Sequence, residues 1–87
     1  MRIFEIAQGD DLQWVAADTN IHALKVFTSS TEQEIWEFDD DATITELPKD
    51  EWEAHYTRGE DGLPEKTFAQ WMKENKTPDI IAGTPYL

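Results

Sequence analysis

The chain contains no cysteine. Disulfides, thiolate zinc sites and thiol nucleophiles are therefore excluded, and no oxidising compartment is required. Without such staples, 87 residues must fold around one modest apolar core, so residues 1–87 are expected to form a single domain. Four tryptophans, four phenylalanines and two tyrosines supply the large surfaces that so small a core needs. Each buries on the order of 150–250 Å² when well packed. Apolar and polar residues alternate in an orderly way, which disordered acidic tails do not show.

Arg2–Ala7 reads as a strand with Phe4 and Ile6 on one face and Glu5 on the other. Gln8-Gly9-Asp10-Asp11 is a turn segment, and Leu12–Ala17 follows as a second strand with Leu12, Trp14 and Ala16 on one side. Gly9 beside Asp10 is a hairpin signal, because glycine accepts the positive φ of tight hairpin turns. Asp18 or Thr19 can cap a helix over about 20–28, with Ile21, Leu24 and Phe27 as its apolar stripe, Ala23 beside them and Val26 off it.

Glu34–Phe38 alternates again, with Trp36 and Phe38 sharing a face, and Asp39, Asp40 and Asp41 form a turn. Thr43–Leu47, rich in β-branched residues, is expected to return as the partner strand. Pro48 suits the first position of a short helix reaching Tyr56, which would place Trp52 and Tyr56 on one face. Arg58–Gly62 reads as a loop. Thr67 with Gln70 matches a capping box for a helix to about Asn75, with Phe68, Trp71 and Met72 inward, and Pro78 stops its continuation. Ile80-Ile81-Ala82 suits a last edge strand. The order β-β-α-β-β-α-α-β predicts an α+β fold. Its small antiparallel sheet would be built from two hairpins, with two or three short helices packed on one face. Trp14, Trp36 and Trp71 fall on the predicted inward faces.

Charge is distributed very unevenly. Between Glu32 and Glu53 lie ten carboxylates and one base, Lys49, which concentrates nine of the chain's twelve net negative charges in that quarter. Such a block attracts cationic partners and repels nucleic acid and anionic membrane. A solvated face that serves only solubility is the competing reading. For Asp50, Glu51 and Glu53, placement at a helix start is a further ordinary explanation. Trp52, inside the block, is an interface anchor if exposed and ordinary core if buried against Tyr56.

No residue pattern supports catalysis, and no cofactor or metal residue is assigned. A calcium loop starting at Asp39 would offer Asp39, Asp41 and Thr43 as ligands. It would place Ile44 where glycine is needed and Asp50 where a bidentate Glu is needed, with Pro48 interrupting it. His22 and His55 fall in different elements, where a lone histidine is usually solvated or capping. Ser29 and Ser30 lack the strand–turn–helix context of a nucleophile. Carboxylate pairs arise from composition alone in so acidic a segment. Seven scattered bases and a pI near 4.2 argue against direct nucleic-acid binding. Residues 1–6 carry an acid within a short apolar run, unlike a signal peptide, and no stretch approaches the roughly 18–20 apolar residues of a membrane span. The expected location is the cytoplasm.

Trp14-Val15-Ala16-Ala17-Asp18 leading into a capped helix, Ile44-Thr45-Glu46-Leu47, Phe68, Trp71-Met72, Glu74-Asn75 and Ile80-Ile81-Ala82-Gly83-Thr84 together give a pattern that resembles small acidic proteins encoded by bacteriophages and other mobile elements. Among those with known roles are acidic inhibitors of host defence, of anti-CRISPR and anti-restriction type, which occupy basic nucleic-acid-binding surfaces. The resemblance implies such a role here and assigns no individual residue.

The expected function is that of a non-enzymatic interaction protein acting as a nucleic-acid mimic. Its 32–53 surface would dock on a basic, nucleic-acid-binding protein, with no direct contact to nucleic acid or membrane. The expected partner-binding residues are Glu34, Glu37, Asp39, Asp40, Asp41, Glu46, Asp50, Glu51 and Glu53, with Trp52 as anchor. The alternative is an adaptor or self-associating protein that uses apolar surface at Val15, Ile35, Ile44 or the strand edges, the acids serving solubility.

Overall fold

A computed structural model describes residues 1–9, 11–31, 42–59, 61 and 63–83. The fold is α+β. Strands β1 (Arg2–Gln8), β2 (Asp11–Ala17), β3 (Thr43–Leu47) and β6 (Asp79–Gly83) form an antiparallel sheet in the order β3-β1-β2-β6. Helix α1 (Asn20–Thr31) follows β2. A single 3-10 turn (Lys49–Glu51) follows β3, and strands β4 (Tyr56–Arg58) and β5 (Pro64–Thr67) pair as a separate two-stranded sheet that leads into helix α2 (Phe68–Glu74).

The first hairpin is as expected: Gln8 pairs with Asp11, and Gly9 sits at φ +60°. That left-handed value costs a side-chain-bearing residue about 1–2 kcal/mol, which glycine avoids. Thr19 caps α1, its Oγ1 accepting from the His22 N–H at 3.1 Å while its carbonyl accepts from Ala23 N–H at 2.9 Å. Ile80–Ala82 lies in an edge strand, paired with β2.

The helices do not share one face. Successive side chains of a strand point to opposite sides of the sheet. Phe4, Ile6, Val15 and Ala17 pack with Ala23 and Phe27 of α1. Ile3, Trp14 and Leu47, of the opposite parity, pack with Phe68, and Trp52 and Met72 lie against this second cluster. The reason is in β2: Trp14, Val15, Ala16 and Ala17 are all buried, at 8, 0, 0 and 0 % exposure. A strand apolar on both parities needs cover on both sides. Val15 is thereby removed as a contact for an outside partner, and half-buried Ile44 packs against the α1-side cluster.

Within α1 the inward face is Ala23, Phe27 and Val26, whereas Ile21 is 64 % exposed. The stripe is therefore turned by about one residue from the one expected. Thr43–Leu47 pairs with β1; its expected partner, Glu34–Phe38, lies outside the described residues, as do Trp36 and the aspartate turn.

The expected helix from Pro48 to Tyr56 is the main local correction. Its bonds are i→i+3: Glu51 N–H to the Pro48 carbonyl at 2.9 Å, Trp52 to Lys49 at 3.2 Å and Ala54 to Glu51 at 3.0 Å. The helix stops because the next carbonyls are used elsewhere. Phe68 N–H donates to the His55 carbonyl at 3.0 Å and Ala69 N–H to the Trp52 carbonyl at 3.3 Å. Gln70 N–H donates to Thr67 Oγ1 at 3.1 Å. Three amides of α2's first turn, which no helix satisfies internally, are thus all paired. Tyr56 consequently opens β4 and stands 48 % exposed.

Thr67 caps the helix as expected, but the capping box is not closed: the Gln70 side chain donates to Glu74 at 3.4 Å. Thr67→Ala should cost about 1 kcal/mol in urea denaturation, and Thr67→Ser close to nothing. Helix α2 ends at Glu74, with Asn75 N–H on the Trp71 carbonyl at 2.9 Å. Phe68 and half-buried Met72 face the second cluster, whereas Trp71, also half-buried, is not among the residues packed against either cluster.

Candidate interaction surface

Leu47, 6 % exposed, anchors the end of β3 in the second cluster, and Pro48, with ψ 143°, turns the chain into the 3-10 turn. That turn carries Asp50, Glu51 and Glu53 outward, all exposed, and among the described residues none of the three forms an ion pair. Trp52 is half-buried. Its indole N–H donates to the Leu47 carbonyl at 3.2 Å and its ring lies against the second cluster, with Lys49 Nζ 5.9 Å from the ring centroid. Neither sequence alternative for Trp52 holds in full. It is fixed by Leu47, not by Tyr56, and one side of it remains accessible.

Of the expected partner-binding residues, the structure brings Asp50, Glu51, Trp52 and Glu53 together. Glu46 is separated from them. It pairs with Phe4 across β1 and so points to the α1 side, where Arg2 Nη1 approaches its carboxylate at 3.8 Å. Both of those side chains are at least half exposed, so the pair stabilises little. Glu34, Glu37, Asp39, Asp40 and Asp41 lie outside the described residues.

Two features escaped the sequence reading. The first is a groove of about 540 Å³ between the 3-10 turn and α2. Asp50, Trp52 and Glu53 form one wall and Ala69 and Met72 the other, with Lys49, Lys73 and Lys76 around the rim. The second is His55, half-buried and stacked on Phe68 (centroids 5.4 Å apart, planes at 20°), with Trp14 edge-on to Phe68 at 5.8 Å. This histidine belongs to a ring cluster and not to a solvated helix. The Trp14 indole N–H is satisfied by Glu5 at 3.3 Å. His22 has a capping role: besides its own N–H on Thr19, its Nδ1 accepts from Asp18 N–H at 3.5 Å.

Lys66 sits 2.6 Å from Glu74. That hydrogen bond, with a weaker one from Gln70, holds the Glu74 carboxyl below the usual carboxylate range. Thr43 and Ile44, the fifth and sixth positions of the conceivable calcium loop, are in β3, and Asp39 and Asp41 are outside the described residues. Among the described residues no group of three or more His, Asp or Glu side chains could hold a metal ion, and no helix is long and apolar enough to cross a membrane. No protein-family model, curated protein or solved structure matches the chain.

Proposed function

We propose that this is a non-enzymatic interaction protein whose acidic surface docks on a basic, nucleic-acid-binding protein in the cytoplasm, in the manner of the phage-encoded inhibitors of host defence that its sequence resembles. The observation that carries the reading is the turn at 49–53. Three carboxylates, Asp50, Glu51 and Glu53, stand exposed and without an ionic partner among the described residues. The backbone beneath them is fixed by i→i+3 bonds, by the Trp52–Leu47 hydrogen bond and by the bond from Ala69 to Trp52. A backbone already held in place leaves only the side chains to be ordered on association, which favours binding. Six further carboxylates of the block precede this turn within the 32–41 segment, adding to the field that steers a cationic partner. The carboxylates would stand where phosphates otherwise sit on that partner.

Of the contacts named for the apolar-adaptor alternative, Val15 is fully buried and Ile44 is half-buried against the core, Ile35 lies outside the described residues, and the strand edges of β3 and β6 are the outer edges of the four-stranded sheet.

The test is affinity capture with the wild-type chain and the D50N/E51Q/E53Q variant in parallel. A basic protein should be retained by the wild type, be released by competing DNA or RNA, and bind the variant about tenfold more weakly. Its affinity should also fall as salt rises from about 50 to 200 mM. Equal retention by the variant, or indifference to both salt and nucleic acid, removes the reading.

A further inference from the structure

We propose that the groove between the 3-10 turn and α2 is a binding site for a small amphipathic anion, a flat apolar body bearing one carboxylate or phosphate group. Its volume of about 540 Å³ falls in the range of small-molecule sites. The walls are held in place independently of any ligand. Backbone bonds join Ala69 to Trp52 and Phe68 to His55, and the Trp52 indole is tied to the Leu47 carbonyl. Between these walls, Trp52, Ala69, Met72 and Met1 offer apolar surface to a planar body.

The choice of an anion rests on charge. The chain carries nineteen acids and seven bases, yet three of those seven bases, Lys49, Lys73 and Lys76, line this one groove. Among the described residues Asp50 and Glu53 are the only acids lining it, so that lining is net positive on a strongly negative molecule. Lys66, the neighbouring base on β5, is engaged by Glu74, whereas among the described residues Lys73 and Lys76 form no ion pair. Lys73 lies in the last turn of α2, where the helix dipole alone favours a cation. Lys49 and Lys76 come from outside the helix and have no such explanation. The indole face that would otherwise attract a cationic ligand already has the Lys49 ammonium 5.9 Å from its centroid. A ligand's anionic head would meet Lys73 and Lys76 at the rim while its body lies along Trp52 and Met72.

The groove shares Asp50, Trp52 and Glu53 with the proposed docking surface, but the inference rests on the lysines and on a different ligand, so K73Q/K76Q and D50N/E51Q/E53Q test the two readings separately. Its test is titration of the full chain with 2-naphthoate, 2-naphthyl phosphate, 2-naphthylmethanol and 2-naphthylmethylamine, followed by two-dimensional amide NMR. At least one anionic probe should shift the Trp52 indole N–H and the amides of Ala69, Met72 and Lys73, and should bind about fivefold or more tightly than the neutral alcohol; the amine should bind more weakly still. K73Q/K76Q changes only exposed side chains. It should weaken the anions about fivefold, leave the alcohol unchanged and keep the wild-type amide spectrum away from the substituted residues. Equal affinity for anion and alcohol, shifts that map elsewhere, no shift with any probe, or K73Q/K76Q binding the anions like wild type would each overturn it.

Discussion

Phe68→Ala is expected to destabilise the protein by about 3–5 kcal/mol, the range for truncating a buried aromatic to alanine. An 87-residue domain has a total stability of roughly 4–13 kcal/mol. The substitution therefore removes a large part of it. Phe68 is 1 % exposed, begins α2, stacks on His55 and meets the edge of Trp14, within the cluster that includes Ile3 and Leu47. Among the described residues no other fully buried side chain of that cluster comes from the layer containing the 3-10 turn, β4, β5 and α2. The cavity would therefore open where this layer is joined to the sheet. Urea denaturation gives the magnitude, and hydrogen exchange gives the location. The Ala69 and Trp52 amides should lose protection before those of β1 and β2. A loss below about 1.5 kcal/mol would mean that the second layer is held by something other than this ring.

Phe27→Ala should cost a similar 3–5 kcal/mol from the opposite side. Phe27 is 5 % exposed and packs with Ala23 against Phe4, Ile6, Val15 and Ala17. Early exchange should now appear in α1, with α2 spared. The two rings belong to clusters on opposite faces, so their effects should add to within about 0.5 kcal/mol. The double variant would then fall near or below the stability threshold and be largely unfolded at 25 °C. A coupling above about 1 kcal/mol would instead show that the sheet transmits repacking from one face to the other.

The first hairpin was legible because two local signals agreed: apolar alternation in Phe4/Ile6 and Leu12/Trp14/Ala16, and a glycine where the turn needs positive φ. The α2 cap was equally local, a Thr directly before the helix whose hydroxyl accepts from the amide three residues on. The second covering layer was written in the same stretch as the hairpin. Val15 and Ala17 sit at the parity opposite Trp14 and Ala16, and an unbroken apolar run signals a strand covered on both sides. The pair β4–β5 gave no comparable signal. Tyr56-Thr57-Arg58 and Pro64-Glu65-Lys66-Thr67 contain no apolar alternation, and their one buried residue is Thr57, whose hydroxyl bonds the Lys66 carbonyl at 3.3 Å. The failed helix at 48–56 could not be anticipated, because what ends it is α2's demand for the carbonyls of Trp52 and His55, a tertiary effect. Trp52, an aromatic inside the acidic block, fits either core or surface by sequence, and it is half-buried. Its neighbours across the groove, Lys73 and Lys76, are remote in sequence, and nothing local links them to Lys49.

The manner in which the chain supplies its two covering layers bears on how it reaches the native state. Strands β1 and β2 and helix α1 are contiguous, and α1 packs on the hairpin that immediately precedes it, so this half closes through short loops and is expected to form first. The opposite layer assembles only when β3, the 3-10 turn and α2 come back to the same hairpin from further along the polypeptide. Damage in the early half then acts chiefly by slowing acquisition of structure, and damage in the late half by hastening its loss. On this view the persistence of the native molecule, as distinct from the speed of its formation, resides in the layer that displays the acidic turn.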